Sequence, residues 1–287
     1  MSLSTARSSS ENADLPDHHL AICGATDVGA CRANNQDTFV IADLRSGDLS
    51  NPCSRTEIPL SRQGILLLIC DGMGGAAAGD LAARIAAQAI KHQLVGAGSV
   101  LTKHPDMSLK SAVLGANGAV LAEAKAHPET RGMGTTCTAA IVLPDRLLIA
   151  QVGDSRAYLM REGGLTLLTR DQTMADDLIR QGLLPPEQAI YAFGHILSQA
   201  VGTGSKIEPI ISEISFRRGD RLLLCSDGLH GPVPDEHIAS VLAGAADINA
   251  AADQLIQAAL AAGGPDNVTV VVADCEPAAV RAALAEE

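Results

Sequence analysis

Aromatic side chains are scarce in this 287-residue sequence, which has no Trp, two Tyr and three Phe. Hydrophobic residues still make up 47% of the chain, so Ala, Leu, Ile and Val must form the core. No apolar run approaches the roughly 18 residues that a membrane-spanning helix needs, and we expect no such helix. Residues 1–19 are polar and lack the apolar segment of a signal peptide, so we interpret them as a disordered tail.

Basic residues are also few, with 21 Lys and Arg against 33 Asp and Glu and a formal net charge of −12. This balance argues against general binding to nucleic acid or to an anionic membrane surface. Binding a phosphorylated substrate would require a local positive charge, such as an Arg side chain or a bound metal ion. The seven Cys are scattered, with no C-x-x-C pair, which suits a reducing cytosol better than a disulfide scaffold. We therefore expect a cytoplasmic protein.

Apolar patterning predicts one domain of mixed helix and strand. Tight hairpins followed by paired helices favour antiparallel sheets with helices packed outside, and not a doubly wound parallel sheet. We expect one domain over residues 20–276, an extension over 277–287, and no internal repeat. The predicted strands are 21–30, 37–44, 65–70, 220–226 and 267–274, the hairpins 136–152 and 157–169, the helices 79–95, 108–126 and 235–260, the helical insertion 172–196 and the loop 45–64.

The segment LLLICDGMGG, residues 67–76, allows two interpretations. Its glycines fit the G-x-G-x-x-A pattern that cradles a dinucleotide after a strand. That pattern also needs an acidic residue about 20 positions later, and residues 81–105 contain no Asp or Glu. A P-loop is excluded because no Gly-Lys-Ser/Thr follows. Alternatively, Asp71 at the end of a buried strand holds a metal ion.

Aspartates recur beside glycine at the ends of apolar segments, at Asp71, Asp154, Asp227 and Asp266, and Asp37 opens another strand. Each one alone is equally well explained as a turn residue. If these strand ends share one edge, the carboxylates converge and need a cation. No His or Cys accompanies them at ligand spacing, so an all-oxygen site for Mg²⁺ or Mn²⁺ is expected.

Two such ions about 3.5–4 Å apart can share a bridging carboxylate and a bridging water, lower the pKa of that water and direct it at phosphorus. Arg32 would supply a planar fork that binds a phosphate through two hydrogen bonds. No Ser, Cys or His arrangement typical of a protein nucleophile is visible.

Taken in order, these segments closely resemble the metal-dependent serine/threonine protein phosphatases, the PPM or type 2C family, and most of all its bacterial single-domain members. The resemblance runs from Ala25 to Asp274. Its motifs are TDVGACRANNQD, CDGMGG, GMGTTCTAAIV, VGDSRAYL, LTRDQT, LSQAVG, GDRLLLCSDGL and GGPDNVTVVV. The resemblance implies an α+β fold, a four-layer α-β-β-α sandwich in which two antiparallel sheets are flanked by helix pairs.

The resemblance also implies the residue roles. Asp71 would bridge two Mn²⁺ or Mg²⁺ ions, the Gly72 carbonyl would bind one of them, and Asp227 and Asp266 would complete the other site. Asp37 would support the cluster, Asp154 would help to hold a third, weaker ion, and Arg32 would bind the substrate phosphate. Asn267 would orient Asp266 or a strand end.

Some positions depart from the family pattern, and they lie at the leaving-group and substrate side. Met73 stands where many eukaryotic members have a His proposed as general acid, which leaves leaving-group protonation unassigned. Residues 172–199 correspond to a flap beside the site, and within it 189–199 is the least typical stretch. His195 lies in that stretch and is either a solvated surface residue or a residue that approaches the substrate.

The expected function is hydrolysis of phosphoserine and phosphothreonine in proteins by a metal-bridged hydroxide, which reverses Ser/Thr kinase signalling. The expected partners are phosphoprotein substrates and a cognate Ser/Thr kinase with its targets, and the expected state is a monomer. Two alternatives stay open: a non-catalytic signalling or scaffold protein on the same fold, and a phosphohydrolase of small molecules.

Overall fold

The computed structural model describes residues 18–47, 49–50, 55–74 and 78–277. The strands are β1 His18–Asp27, β2 Asp37–Asp43, β3 Leu49–Ser50, β4 Thr56–Pro59, β5 Ile65–Met73, β6 Gly134–Thr135, β7 Cys137–Val142, β8 Arg146–Val152, β9 Arg156–Arg161, β10 Gly164–Leu167, β11 Ile210–Ser215, β12 Arg221–Cys225 and β13 Val268–Pro277. The helices are α1 Ala78–Gly96, α2 Ser99–Lys103, α3 Pro105–Ala126, α4 Met174–Arg180, α5 Pro186–Phe193, α6 Asp227–His230, α7 Asp235–Gly244 and α8 Ile248–Ala261, with a 3₁₀ turn at Pro128–Thr130.

The strands form two antiparallel sheets. The first has the order β10-β9-β12-β13-β1-β4, and the second has the order β11-β8-β7-β5-β2-β3, with β6 paired to β5. Every described strand pair in both sheets is antiparallel. The predicted α+β class with two antiparallel sheets is therefore confirmed.

Three buried layers separate four layers of secondary structure. Side chains of α1 and α3 pack on the second sheet, the two sheets pack on each other, and α7 and α8 pack on the first sheet. The helices present small residues to the sheet, among them Ala82, Ala86, Ala112 and Ala116. Close approach of helix and sheet compensates for the scarcity of aromatic side chains.

Strand β5 shows why its sequence is apolar without alternation. Ile65, Leu67 and Ile69 lie in the core between the sheets, whereas Leu66 and Leu68 face the helices. Successive side chains of a strand point to opposite faces, so a strand in an inner layer is buried on both. β12 repeats the arrangement in the other sheet, with alternate residues in the two cores that flank it.

The hairpins were predicted well because their turns carry strong local signals. The predicted hairpin 157–169 forms from β9 and β10, and Glu162 and Gly163 have φ of 53° and 81° at its turn. Positive φ at both central residues gives the turn type that matches the twist of paired strands. The predicted helices 79–95 and 108–126 correspond to α1 and α3.

Several local predictions were wrong. The region 45–64 is not only loop, because Thr56–Pro59 pairs with β1, and the region 235–260 is not one helix. It breaks after Gly244, and Asp247 caps α8 by accepting a hydrogen bond from the Ala250 N–H at 2.9 Å. Strand β1 begins at His18, inside the predicted tail 1–19, and residues 1–17 and 278–287 lie outside the described residues.

None of the helices in the described part of the chain combines the length and the apolar character that crossing a bilayer would need.

Truncation of Leu67 to Ala should lower the free energy of unfolding by about 2–5 kcal/mol, since it opens a cavity between the two sheets. Leu67 is fully buried, whereas Leu114 on α3 is 42% exposed. The matched variant Leu114→Ala should change the unfolding free energy by less than about 0.5 kcal/mol. Urea denaturation measures both values, and equal losses would contradict the assigned layer order.

Candidate active site

A cleft of about 430 Å³ lies where the two sheets end. The predicted site residues Arg32, Asp71, Gly72, Asp154, Asp227 and Asp266 all line it, together with Met73, Thr136, His195, Leu197 and Asn267. The fold therefore brings together residues that are up to 234 positions apart in the sequence. Asp37 does not line the cleft, because it lies behind the cleft wall and is 8% exposed.

The main chain of Asp71 is held by the strand entry that follows the helices. The Asp71 N–H donates to Thr136 Oγ1 at 2.9 Å, and the Asp71 carbonyl accepts from the Thr136 N–H at 2.8 Å and from Thr135 Oγ1 at 2.9 Å. Thr136 Oγ1 also bonds Ser155 Oγ at 2.8 Å. Both threonines thus position Asp71 through hydrogen bonds to its main chain.

Gly72 lies where the end of β5 meets the start of α1. A Cβ atom at Gly72 would fall 2.2 Å from the Gly79 carbonyl oxygen and 2.8 Å from the Gln36 carbonyl oxygen. A glycine is needed here because the backbones approach too closely for any side chain.

Asp37 and Asp71 are directly opposed on adjacent strands β2 and β5. Asp37 Oδ2 accepts hydrogen bonds from Ser226 Oγ at 2.8 Å and from Thr269 Oγ1 at 2.7 Å. Burial raises the pKa of Asp37 to about 6, and repulsion from Asp227 and Asp266 adds to the increase, although the two hydroxyl donors oppose it. Its other oxygen, Oδ1, is buried without a partner.

Asp71 and Asp227 have raised pKa values for related reasons. Burial raises the pKa of Asp71 well above its usual range, and the charges of Asp37, Asp227 and Asp154 raise it further. Burial also raises the pKa of Asp227, followed by the charge of Asp266. Asp227 Oδ1 is buried and has no hydrogen-bond partner.

Asp154 is presented by a turn that two side chains hold. The Gly153 N–H donates to Gln172 Oε1 at 2.9 Å, and a ring nitrogen of His230 lies 3.0 Å from the Asp154 carbonyl oxygen. Burial, with the charges of Asp227 and Asp171, raises the pKa of Asp154 to about 7, although Arg156 opposes the shift. Burial lowers the pKa of His230 to about 4, so its ring is neutral at physiological pH.

Arg32 stands at the margin of the cleft. Its guanidinium donates to Asp266 Oδ2 at 2.6 Å, and the Arg32 side chain is 56% exposed. The hydrogen bond to Asp266 is the main reason why the pKa of Arg32 is raised. A guanidinium has five N–H donors, so Arg32 can bond Asp266 and still present donors to an anion.

Asn267 holds the loop that carries Arg32. Its side-chain amide donates to the carbonyls of Val28 and Asn34 at 2.9 and 3.0 Å, and its Oδ1 accepts from the Gln36 N–H at 2.8 Å. The Asn267 N–H also donates to Asp266 Oδ1 at 2.9 Å. Asn267 therefore contacts both Asp266 and the loop before β2.

The donors at this cleft fit divalent cations. The carboxylates have lost water and repel one another, and a cation relieves both costs. The two buried, unpartnered oxygens Asp37 Oδ1 and Asp227 Oδ1 point to the same need. Carboxylate and carbonyl oxygens suit Mg²⁺ or Mn²⁺. Within the described residues, no three His, Cys, Asp or Glu side chains already form a ready-made metal-binding group.

Several supporting residues were missed by sequence reasoning. Ser226 and Thr269 hold Asp37, and Gln172 and His230 hold the turn at Asp154. Ser226 precedes Asp227 directly, and that adjacency was the only local signal. The other contacts join distant segments, so no spacing in the sequence indicates them.

Comparison with known proteins agrees with this geometry. Residues 56–262 match the family model for protein phosphatase 2C. The chain is 39% identical over 257 residues to the serine/threonine protein phosphatase PstP of Mycobacterium tuberculosis. The aligned region covers 89% of this chain but only 45% of that protein. The chain is 33% identical over 211 residues to the serine/threonine phosphatase stp of Listeria welshimeri, covering 73% of this chain and 84% of that protein.

Solved structures give the same result. The catalytic domain of PstP in complex with two manganese ions aligns with a TM-score of 0.73 and 37% identity, covering 90% of this chain and 99% of that one. The serine/threonine phosphatase Stp1 from Staphylococcus aureus aligns with a TM-score of 0.78 and 30% identity, covering 89% of this chain and 94% of that one.

Substitution of Asp154 by Asn should stabilise the cation-free protein increasingly as the pH rises from about 4 to 7. The pKa of Asp154 rises from 3.8 to about 7 on folding, so folding favours its protonated form. The contribution of protonated Asp154 to the free energy of unfolding is complete below pH 4 and is lost as the pH rises through 7. The gain from Asn approaches about 1.4 kcal/mol for each unit of pKa difference.

Urea denaturation in EDTA at several pH values measures this difference. Asp253→Asn, at an exposed position on α8, is the matched control and should give no pH-dependent gain. A gain from Asp154→Asn that does not change with pH would show that Asp154 is not the buried carboxylate described here.

Proposed function

Because the chain belongs to the protein phosphatase 2C family, we propose that it hydrolyses phosphoserine and phosphothreonine in proteins in a reaction that requires divalent cations. The observation that carries the proposal is the convergence of Asp71, Asp227 and Asp266 with Arg32 in one cleft. The similar catalytic domain of PstP was solved in complex with two manganese ions, which supports a role for divalent cations in this chain.

The residues that would hold the cations follow from their place in the cleft. Asp71 would bridge two Mn²⁺ or Mg²⁺ ions, the Gly72 carbonyl would serve one, and Asp227 and Asp266 would complete the other site. Asp37 would act from behind as a support, in line with its burial and its orphaned oxygen. Asp154, on the same cleft, would help to hold a third and weaker ion.

When bound, the cations supply positive charge to the phosphoryl oxygens and lower the pKa of a coordinated water. The chain's own residues do the positioning. Thr135 and Thr136 fix the main chain of Asp71, and Asn267 fixes the loop that presents Arg32. The Arg32 guanidinium would bind non-bridging phosphoryl oxygens through two parallel hydrogen bonds and hold the phosphorus beside Asp71, Asp227 and Asp266.

The biological setting belongs to the same proposal. Phosphoproteins modified by a Ser/Thr kinase would be the substrates, a cognate kinase and its targets the partners, and the cytoplasm the compartment. The protein would act as a monomer. The absence of an excess of basic residues supports the proposal that nucleic acid and membrane surfaces are not partners.

Activity should require Mn²⁺ or Mg²⁺ and should depend on Asp227. With Mn²⁺ the protein should hydrolyse a phosphothreonine peptide, and Asp227→Asn should lower kcat/KM on the order of 10²-fold or more, because a ligand charge is lost. Asp253→Asn should leave kcat/KM unchanged. Release of inorganic phosphate measures the rates.

Two other outcomes would favour the alternative functions, a scaffold protein or a phosphohydrolase of small molecules. No turnover and no Mn²⁺ binding by calorimetry would favour a non-catalytic scaffold. Faster turnover of free phosphometabolites than of phosphopeptides would favour a small-molecule phosphohydrolase.

Replacing Arg32 by Lys should weaken substrate binding although the charge is kept. Lys cannot reproduce the planar two-bond contact, and loss of one charge-assisted hydrogen bond costs about 1.5–3 kcal/mol, or roughly 10–100-fold in kcat/KM. Steady-state kinetics on the phosphothreonine peptide measures the change. Arg62→Lys, at an exposed position outside the cleft, is the control, and an Arg32→Lys protein with unchanged kcat/KM would exclude the phosphate-binding role.

A further inference from the structure

The cleft has one wall that the cation-binding groups do not form. Its lining residues His195 and Leu197 come from the 172–199 segment, whereas the carboxylates lie at the sheet edges. His195 lies two residues after the end of α5 and is exposed. Among the residues lining this cleft, His195 is the one that carries an imidazole, a side chain whose ring N–H can serve as a general acid.

The position of His195 is held by backbone hydrogen bonds on both sides. The Ile196 N–H donates to the Phe193 carbonyl at 3.1 Å, and the Ile196 carbonyl accepts from the Met174 N–H at 2.7 Å. The Ser198 N–H donates to the Gln172 carbonyl at 2.8 Å. Gln172 also accepts from Gly153 through its side chain, so the segment that presents His195 is joined to the turn that presents Asp154.

Hydrolysis of a serine or threonine phosphate requires a proton for the departing oxygen, since an aliphatic alkoxide is a poor leaving group. The other cleft residues do not meet this need. Arg32 keeps its protons at physiological pH. Asp71, Asp154, Asp227 and Asp266 are assigned to the cations, and Met73 has no exchangeable proton. His195 remains as the donor.

The direction of the reaction agrees with this assignment. In an in-line displacement the leaving oxygen departs on the side of phosphorus opposite the attacking oxygen. In the proposed reaction the attacking water is held at Asp71, Asp227 and Asp266, so the leaving oxygen departs away from these carboxylates. His195 is a lining residue of the cleft that does not belong to the carboxylate set.

We propose, on the basis of the phosphatase function proposed above, that His195 is the catalytic acid that protonates the leaving serine or threonine oxygen. A water oxygen forms the new bond to phosphorus, with the protons of the water leaving on the phosphate product, and the ester P–O bond breaks with its electron pair on the departing oxygen. That oxygen takes the ring N–H proton of the His195 imidazolium. The neutral imidazole then regains a proton from solvent.

Other charged groups surround His195 and bear on any pH profile. Arg32, Asp71, Asp154, Asp227 and Asp266 line the same cleft. Helix α4, which packs against α5, carries Asp176, Asp177 and Arg180, and α5 itself carries Glu187. A pH dependence that survives removal of His195 is assigned to these groups.

The test compares two substrates with different leaving groups at saturating Mn²⁺. A phosphothreonine peptide needs protonation of its leaving oxygen, whereas p-nitrophenyl phosphate releases a stable aryl oxide and does not. His195→Ala and His195→Gln should each lower kcat on the peptide about 10²-fold and change kcat on the aryl phosphate by less than about threefold. In the unsubstituted protein, kcat on the peptide should fall on the alkaline side, and the variants should lack that fall.

His237→Ala, at an exposed position on α7, is the matched control and should change neither substrate. Thermal denaturation and Mn²⁺ titration calorimetry show whether each His195 variant keeps its fold and binds its cations. If His195→Ala loses either property, the kinetics of His195→Gln decide the test. Equal losses on both substrates, or no loss on the peptide, would overturn the assignment. An unsubstituted protein that turns over neither substrate would instead refute the phosphatase function itself.

Discussion

The repulsion among buried carboxylates at the edge of the sandwich is the constraint on which the site depends. Asp37, Asp71, Asp154 and Asp227 have each lost water, and each has a pKa raised first by burial. Such a cluster destabilises the fold unless a positive charge enters it. The stability of the surrounding structure compensates for this repulsion, so the carboxylates stay close enough together to bind a cation.

The sandwich provides that rigidity from two inner strands that are buried on both faces. Asp71 and Gly72 lie in the last three residues of β5, and Asp227 lies two residues after the end of β12. Their apolar side chains anchor the strand ends in two cores each, so the aspartates cannot withdraw from one another. Hydroxyl groups of Thr136, Ser226 and Thr269 complete the support with short, directed hydrogen bonds.

The local predictions succeeded where a segment's own residues decide its structure. Apolar runs and Gly-containing turns predicted the strands and hairpins that form both sheets, because side-chain period and turn geometry are local properties. They failed at Thr56–Pro59, which has too few apolar residues to predict a strand and is a strand only because β1 offers it an edge. They failed again at 235–260, where an Asp247 cap divides an Ala-rich stretch.

The sequence by itself determined the chemistry: which aspartates end strands, that no His or Cys accompanies them at ligand spacing, and that Arg32 is the basic residue of the first motif. Only the tertiary structure decided the geometry. It set Asp37 opposite Asp71, joined Arg32 to Asp266, and placed His195 on the same cleft. The physical reason is that strand pairing and layer packing bring together residues far apart in the chain, and side-chain contacts between them leave no periodic trace in the sequence.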